Sequence, residues 1–246
     1  MSKLKRWLTY AATTAVIVAS IPFLQKAYWY VTRSSADLSE VRQRVEPTLK
    51  TDLVAAGMEL GQAAFIRIFK EEHELEVWLR TGQSFELFRS YNICNFSGGL
   101  GPKLKEGDRQ SPEGFYMVDL AAMNPNSSYH LSFNLGFPNA YDQANQRTGS
   151  FLMVHGGCVS VGCYAMKDAG IEEIYLIIEA ALSGGQESVA VHAFPFRMTN
   201  ERLTAEQANE WYEYWQNLKA GYDIFESLRV PPRISVSDNA YAFEPS

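Results

Sequence analysis

Alternation of apolar and polar residues predicts a series of strands in the first half of the chain. The segments AFIRIF (64–69) and ELEVWLR (74–80) alternate in this way around the charged stretch KEEHE, so they predict a β-hairpin. A third segment, FELFRSYNIC (85–94), extends the hairpin to an antiparallel meander. The stretch 96–114 carries five glycines and two prolines, which predicts a long loop that borders a binding site.

The second half of the chain adds helical patterns. Apolar residues recur at helical spacing from Asp168 to Leu182, and acidic residues near the start of this segment suit the helix dipole. A second helix is predicted from a Thr204 cap through EWYEYWQNL, and the tail after Val230 is predicted to be extended. Further strands are predicted at 115–120, 150–155 and 188–194, with one short strand set in loops within 124–149. Strands first and helices later favour a β-rich α+β fold.

The first thirty residues have a different character. Basic residues at positions 3, 5 and 6 precede an uncharged run of 18 residues, 7–24. This pattern is typical of an export signal or a membrane anchor, and a spanning helix needs about 20 apolar residues. The length of the run leaves cleavage and retention equally open. Either outcome places the rest of the chain outside the cytoplasm, and retention would anchor it to the inner membrane.

The remaining sequence divides into three parts. Residues 31–61 are polar and irregular and predict a linker, in which Ser39 caps a short helix that Pro47 interrupts or restarts. Residues 62–200 are predicted to form the main folded domain. Residues 201–246 predict a helical extension and tail packed on that domain.

Composition narrows the classes of partner. The chain has 246 residues, of which 46% are hydrophobic, and 22 basic against 28 acidic side chains give a formal charge of −6. No long basic run occurs in the body of the chain. These values fit a globular domain with an ordinary core, and they argue against nucleic acid as a partner.

The most reactive group of side chains lies in HGGCVSVGC, residues 155–163. A thiol attacks a carbonyl as the thiolate, so a catalytic cysteine needs a neighbour that lowers its pKa, and histidine is the usual one. His155 ends a predicted strand, and Cys163 follows a glycine turn, so the two can face each other. Gly162 lets a substrate approach the backbone, where the N–H groups of Cys163 and Tyr164 would stabilise an oxyanion.

Other interpretations of this stretch remain open on the residues alone. His155, Cys158 and Cys163 would form a zinc site if Cys94 or His130 supplied a fourth ligand, although no second C-x-x-C occurs. A disulfide between Cys158 and Cys163 would close a small strained loop. A further alternative is that the segment is a buried part of the core, between a strand and a helix, with no catalytic or metal-binding role.

A family resemblance favours the catalytic interpretation. The strand ending in His-Gly and followed by Ser-x-Gly-Cys resembles the catalytic segment of the YkuD-type L,D-transpeptidase domain, whose usual pattern is HG…S-H-G-C-x-R. SPEGFY (111–116) resembles a second conserved segment of that family. The wider stretch from 62 to 230 resembles its YafK-like branch. The resemblance implies a mixed β sandwich or barrel with flanking helices, and no cofactor or metal.

Roles for individual residues follow from this resemblance. Cys163 corresponds to the nucleophile and His155 to the base. The carbonyl of Gly156 would accept a hydrogen bond from the imidazole nitrogen that does not act on Cys163, and this bond would fix the tautomer of His155. Ser160, Gly162 and the backbone at Cys163 and Tyr164 would shape the turn and the oxyanion hole.

Two departures from the family pattern concern the substrate. Val161 replaces the usual histidine, and Ala165 replaces the arginine that follows the cysteine by two positions. Arg147 or Arg197 would substitute for the missing cation, although an ion pair is the commoner fate of such residues. Two further candidates for substrate contact are Tyr141 and His130, for which the alternatives are a turn role and packing beside the strand.

The resemblance implies a periplasmic enzyme that acts on a peptidoglycan stem peptide through a thioester at Cys163. Resolution of the thioester by water would make an amidase that detaches a covalently bound outer-membrane lipoprotein from diaminopimelate. Resolution by an amine would make a transpeptidase that forms 3-3 crosslinks or attaches the lipoprotein. An inactive cell-wall-binding module is the alternative of another class.

The resemblance also bears on the three cysteines. If any pair forms, it is Cys94 with Cys158, because Cys163 must remain a thiol to work. Reduced, buried Cys94 and Cys158 remain equally open.

Overall fold

The computed structural model describes residues 36–245, and its elements form two five-stranded sheets, a terminal hairpin and five helices. The helices of this described part are α1 (Leu38–Ala55), α2 (Ala140–Ala144), α3 (Lys167–Ser183), α4 (Asn200–Thr204) and α5 (Tyr212–Leu228). Its strands are β1 (Ala64–Phe69), β2 (Glu74–Thr81), β3 (Ser84–Asn92), β4 (Asn95–Phe96), β5 (Gly114–Val118), β6 (Met123–Ser127), β7 (His130–Asn134), β8 (Met153–His155), β9 (Tyr164–Ala165), β10 (Val189–Phe194), β11 (Arg233–Ser237) and β12 (Ala240–Glu244).

The first sheet contains the predicted meander. Its strand order is β3-β2-β1-β10-β5, and β1, β2 and β3 pair antiparallel in sequence order, which confirms the prediction from alternation. Strand β10 returns late in the chain and pairs parallel with β1, so the sheet is mixed. Together with the helices, this arrangement confirms the predicted β-rich α+β class.

The second sheet carries the predicted site residues. Its strand order is β4-β9-β8-β7-β6. The inner strands β8 and β9 run parallel, with β7 antiparallel to β8 on one side and β4 antiparallel to β9 on the other. The HGGCVSVGC segment therefore folds back on itself: Tyr164, which follows it, pairs with Val154, which precedes it.

Strand β1 is buried along its whole length because both of its faces are covered. Ile66 and Ile68 belong to a core that α3 shares with both sheets. Phe65 and Phe69 pack toward the C-terminal helix α5, and the ring of Phe65 lies 4.6 Å from that of Phe225. Because both faces of β1 are buried, apolar residues occupy both of them, and Arg67 is the one charged residue in AFIRIF.

The segment predicted as a linker is largely helical, and this prediction was wrong. Helix α1 spans 18 residues of it, and Val41 and Leu53 are buried in the core. The side chain of Asp37, not Ser39, caps the helix by accepting hydrogen bonds from two backbone N–H groups. Pro47 lies inside the helix without ending it. Polar composition concealed the helix because only one narrow face of it is buried.

The C-terminal predictions also need correction. Thr204 ends the short helix α4, which Thr199 caps, and the longer helix α5 begins only at Tyr212. The tail after Val230, predicted as an extended cover or a loose end, forms the hairpin β11–β12, and Tyr241 of this hairpin is buried against Phe115 of the first sheet. Residues 124–149 contain parts of two strands and α2, where a single short strand was predicted.

The predicted export signal or anchor at 1–30 lies outside the described residues. Among residues 36–245, no helix has the length and apolarity needed to cross a membrane.

Candidate active site

His155 ends strand β8 of the second sheet, and Cys163 lies just before β9, the parallel strand beside it. In the parallel ladder His155 pairs with Ala165, and Cys163 directly precedes β9. Residues two apart in a strand face the same side, so the ladder directs Cys163 toward the face that carries His155. The Sγ atom of Cys163 accepts a hydrogen bond of 3.4 Å from the backbone N–H of Met153, two residues before His155. The thiol is partly exposed and the imidazole is buried.

The imidazole of His155 is held in one tautomer. Its Nδ1 lies 2.6 Å from the carbonyl oxygen of Gly156, and because a carbonyl only accepts, Nδ1 carries the proton. The structure thus contains the contact expected from the sequence. In this tautomer Nε2 is the ring nitrogen that carries no proton. The ring of Tyr129 lies 4.6 Å from the imidazole and packs against it.

Glycine is required at position 156 because the backbone is crowded there. A Cβ atom at this position would lie 2.7 Å from Oδ1 of Asp168 and 2.8 Å from both Cβ of His130 and the carbonyl oxygen of Tyr129. The N–H of Gly156 donates to that same Tyr129 carbonyl at 3.0 Å. The turn whose carbonyl accepts the hydrogen bond from the imidazole is therefore packed from three sides.

Two serine hydroxyls hold the backbone of Cys163, and a third serine supports them. Ser160 and Ser111 donate to the Cys163 carbonyl at 2.7 Å and 2.8 Å. The hydroxyl of Ser97 lies 2.7 Å from that of Ser160, and the backbone N–H of Ser97 donates to Ser111 Oγ at 3.0 Å. The long loop after β4 thereby fixes the position of the nucleophile.

The predicted oxyanion hole is only partly available in this state. The N–H of Cys163 already donates to Ser160 Oγ at 3.1 Å, so an oxyanion would have to displace that hydroxyl. Tyr164 is buried in β9, and its hydroxyl donates to the carbonyl of Pro112 at 2.7 Å. Gly162 has a φ of +99°, a conformation that favours glycine, and this turn directs the chain into Cys163.

The electrostatic surroundings do not lower the pKa of the nucleophile. Burial raises the pKa of the Cys163 thiol above its ordinary value, and the Met153 N–H and the charge of Lys103 oppose this only in part. Lys103 is itself buried and paired with Asp108 at 2.6 Å. The expectation of a resting thiolate is therefore not met. The thiolate must form when a base removes the proton.

The other two cysteines form a disulfide, Cys94–Cys158. This confirms the conditional prediction and overturns three alternatives: reduced Cys94 and Cys158, a Cys158–Cys163 disulfide, and a zinc site that uses Cys158. The bond attaches the loop before Cys163 to the segment leading into β4. Across residues 36–245 there is no group of three His, Cys, Asp or Glu side chains that could hold a metal ion.

Both arginine candidates for substrate binding are engaged elsewhere. Arg147 is buried, pairs with Asp142 at 3.0 Å and lies 4.9 Å from the centre of the Tyr141 ring. Arg197 pairs with Glu74 and with Glu76. Both arginines therefore form the ion pairs expected from the sequence as their commoner fate, and these contacts do not favour a role in binding a substrate carboxylate.

Tyr141 and His130 also have structural partners. Tyr141 is buried and stacks on Tyr241 with ring centres 4.2 Å apart, which removes it from contact with a substrate. His130 adjoins Gly156, but its Nε2 lies 2.6 Å from Oε1 of Glu172. Its position supports the turn that follows His155.

Comparison with known proteins identifies the family. No family model matches the chain. The chain is 47% identical over 182 residues to YafK of Escherichia coli K12, which carries the name of an L,D-transpeptidase, and the match covers 74% of each chain. The chain belongs to the YafK-type L,D-transpeptidase family.

Two solved structures also resemble this YafK-type chain, but the likeness is too distant to bear on its function. The helical cell shape determining protein Pgp2 from Campylobacter jejuni matches over 77% of this chain and 80% of its own, at 18% identity and a TM-score of 0.43. For Bd1075 of Bdellovibrio bacteriovorus the match covers 74% and 84%, at 16% identity and a TM-score of 0.41.

Several residues of this YafK-type site were missed from the sequence. Ser111 begins the SPEGFY segment, so that segment could have indicated its contact with Cys163. Ser97 and Tyr129 carry no comparable signal, because their roles depend on how the loops fold back on the second sheet. Asp168, which accepts a hydrogen bond of 2.8 Å from the N–H of Gly157, was interpreted only as the start of a helix.

Proposed function

We propose that the protein is a cysteine-dependent peptidoglycan amidase. Its substrate would be the amide that links diaminopimelate of a stem peptide to a covalently attached outer-membrane lipoprotein. One observation carries the proposal: the Sγ of Cys163 lies against the backbone of β8, two residues from a histidine whose tautomer is fixed by Gly156. Membership of the YafK-type family supports peptidoglycan as the substrate.

In the first half of the reaction, His155 Nε2 takes the thiol proton and Sγ attacks the amide carbonyl carbon. A C–S bond forms, and the C–N bond then breaks as the proton passes from His155 to the leaving amine. Because burial raises the pKa of the Cys163 thiol, the sulfur needs a base to remove its proton for the attack. The serine hydroxyls around the Cys163 backbone hold the sulfur in place during the step.

In the second half, water attacks the thioester carbon and His155 accepts its proton. The C–S bond breaks, the proton returns to sulfur and a free carboxylic acid is released. Hydrolysis is favoured over transfer to a second amine because Ala165, in the position of the family's arginine, is buried between Asn95 and His155 in the sheet. Arg147 and Arg197 do not replace the lost cation, and Lys103 is neutralised by Asp108.

The test uses sacculi that carry bound lipoprotein. Wild-type protein should release lipoprotein and leave unsubstituted tripeptides, as identified by mass spectrometry of the muropeptides. Cys163→Ala and His155→Gln should release none while keeping the wild-type melting temperature. New 3-3 crosslinks without release would support transpeptidation. Binding of sacculi with no change in any muropeptide would support the inactive binding module.

We also infer that the protein acts in the periplasm, where its proposed substrate is located. The basic start and the apolar run at 7–24 support export, with either cleavage or retention in the inner membrane. Fractionation of cells that produce the full chain distinguishes the two, because an anchored protein stays with the membranes after alkaline extraction. Recovery in the cytoplasm would contradict the inference.

A further inference from the structure

Apolar side chains are exposed close to the nucleophile in the sequence. Phe151 is 75% exposed and Val161 is 69% exposed, and both lie within the 13 residues that end at Cys163. The carbonyl oxygen of Phe151 lies 3.8 Å from the Sγ of Cys163, so this residue borders the thiol directly. Large exposed apolar side chains grouped at one place often mark a surface that another molecule covers.

The backbone of Phe151 adds an independent observation. Its φ of +54° lies in the left-handed region, which a bulky aromatic residue rarely adopts. Such strained residues persist where the surrounding structure holds them, and they cluster at functional sites. The strain here directs the carbonyl to the thiol and leaves the ring in solvent.

A cavity of about 540 Å³ extends from this point. Phe151 and Met153 form its edge nearest the thiol, and Met117, which is 57% exposed, and Met123 line its interior. Asp119 is the one charged side chain among the described residues that line it. We refer to Met117, Phe151, Val161 and this cavity as the apolar rim.

We propose that the apolar rim binds the polypeptide attached to the stem peptide, with an apolar side chain of that polypeptide in the cavity and a cationic one beside Asp119. This inference rests on the proposed function, because it requires that the leaving amine belong to a protein. Burial of the exposed methionine and phenylalanine side chains against apolar groups is favourable because it removes apolar surface from water. Sugar hydroxyls and stem-peptide carboxylates offer no such groups, and Asp119 would repel the carboxylates.

A membrane surface is the other occupant that an apolar rim would suit. Its acidic cavity argues against this, because a carboxylate is disfavoured next to anionic lipid headgroups. The formal charge of −6 on the chain acts in the same direction. The concave shape also fits an inserted side chain better than a flat bilayer.

The test measures binding separately from turnover. Full-length protein carrying Cys163→Ala is titrated with peptidoglycan-free lipoprotein, with a tripeptide muropeptide that lacks protein, and with vesicles of phosphatidylethanolamine and phosphatidylglycerol. Phe151→Asn removes the ring but keeps a residue that tolerates a positive φ, and Met117→Gln changes the cavity wall. Val54→Gln is the matched control, because Val54 is 70% exposed on α1 and does not line the cavity.

Each rim variant should weaken lipoprotein binding by roughly tenfold and leave muropeptide binding within about twofold. Val54→Gln should change neither. Equal weakening for the muropeptide, no weakening for the lipoprotein, or vesicle binding that the rim variants abolish would each overturn the inference. Circular dichroism confirms that every variant is folded.

Release from sacculi by protein with an intact Cys163 reports on the proposed function alone. Rim-dependent lipoprotein binding without any release would contradict the amidase and leave this inference standing. If the wild type releases lipoprotein, and Phe151→Asn and Met117→Gln slow neither release nor binding, the amidase is supported and the inference about the apolar rim is contradicted.

Discussion

Removal of the Cys94–Cys158 disulfide is expected to destabilise the protein strongly. The bond joins residues separated by 64 positions, so it closes a long loop in the unfolded chain. The chain-entropy relation for such a loop gives a loss of about 14 cal/mol/K, which corresponds to about 4 kcal/mol at 25 °C. For a chain of this size each kcal/mol lowers the melting temperature by roughly 2–4 °C. The expected decrease is therefore about 8–16 °C.

The experiment compares Cys163→Ala protein with a variant that also carries Cys94→Ser and Cys158→Ser. The Cys163→Ala background prevents thiol exchange with the nucleophile. Thermal unfolding followed by circular dichroism gives the two melting temperatures. Adding reductant to the Cys163→Ala protein should reproduce the lower value, and adding it to the triple variant should change nothing.

A decrease below about 3 °C would refute the reasoning, since it would show that loss of the bond stabilises the folded state almost as much as it stabilises the unfolded state. A local effect is expected as well. The carbonyl of Cys158 accepts a hydrogen bond of 3.3 Å from Asn95 Nδ2, and the disulfide keeps this loop against β4. Protease cleavage between Cys158 and Cys163 should therefore become faster when the bond is absent.

Three further predictions concern the site and the core. Gly156→Ala should cost about 1–3 kcal/mol of unfolding free energy in urea, because its Cβ would overlap atoms 2.7–2.8 Å away; unchanged stability would contradict this. Lys70→Met should cost about 3–5 kcal/mol, because it leaves the buried carboxylate of Glu113 without its ion pair at 3.0 Å; the loss should be smaller when Glu113→Gln is added, and equal losses would refute the pairing argument. Alkylation of Cys163 by iodoacetamide should be slow at pH 7 and should accelerate with rising pH through the alkaline range, because burial raises the pKa of its thiol; a plateau below pH 7 would show a resting thiolate.

The sequence predicted the parts of the fold in which local pattern and burial agree. The alternation in 64–94 predicted the meander because each of its strands contributes to a buried face. The predicted helix at 168–182 agrees with α3 to within one residue at each end, since its apolar face covers both sheets. For α1 the sequence predicted only a short helix within a linker, because the segment is mostly polar and only tertiary contacts select its buried face.

The candidate site could be predicted only where its residues are close in the sequence. His155, Gly156, Ser160 and Cys163 lie within nine positions, and their hydrogen bonds are formed within one turn and its flanking strands. The sequence did not predict the surroundings of Tyr141 and Arg147, because nothing local shows that these side chains stack with each other and with the C-terminal elements. Long-range contacts determine where these two side chains lie.

The burial of β1 on both faces has a consequence for the boundary predicted at residue 200. A protein ending there would keep every residue of the nucleophile's loop, yet it would lack the aromatic wall that Trp215 and Phe225 place over the second face of the first sheet. Phe65, Phe69 and Phe194 would then meet water on a sheet that holds no catalytic group. The helix-and-hairpin ending thus encloses one side of the protein's interior, and a minimal enzyme has to include it.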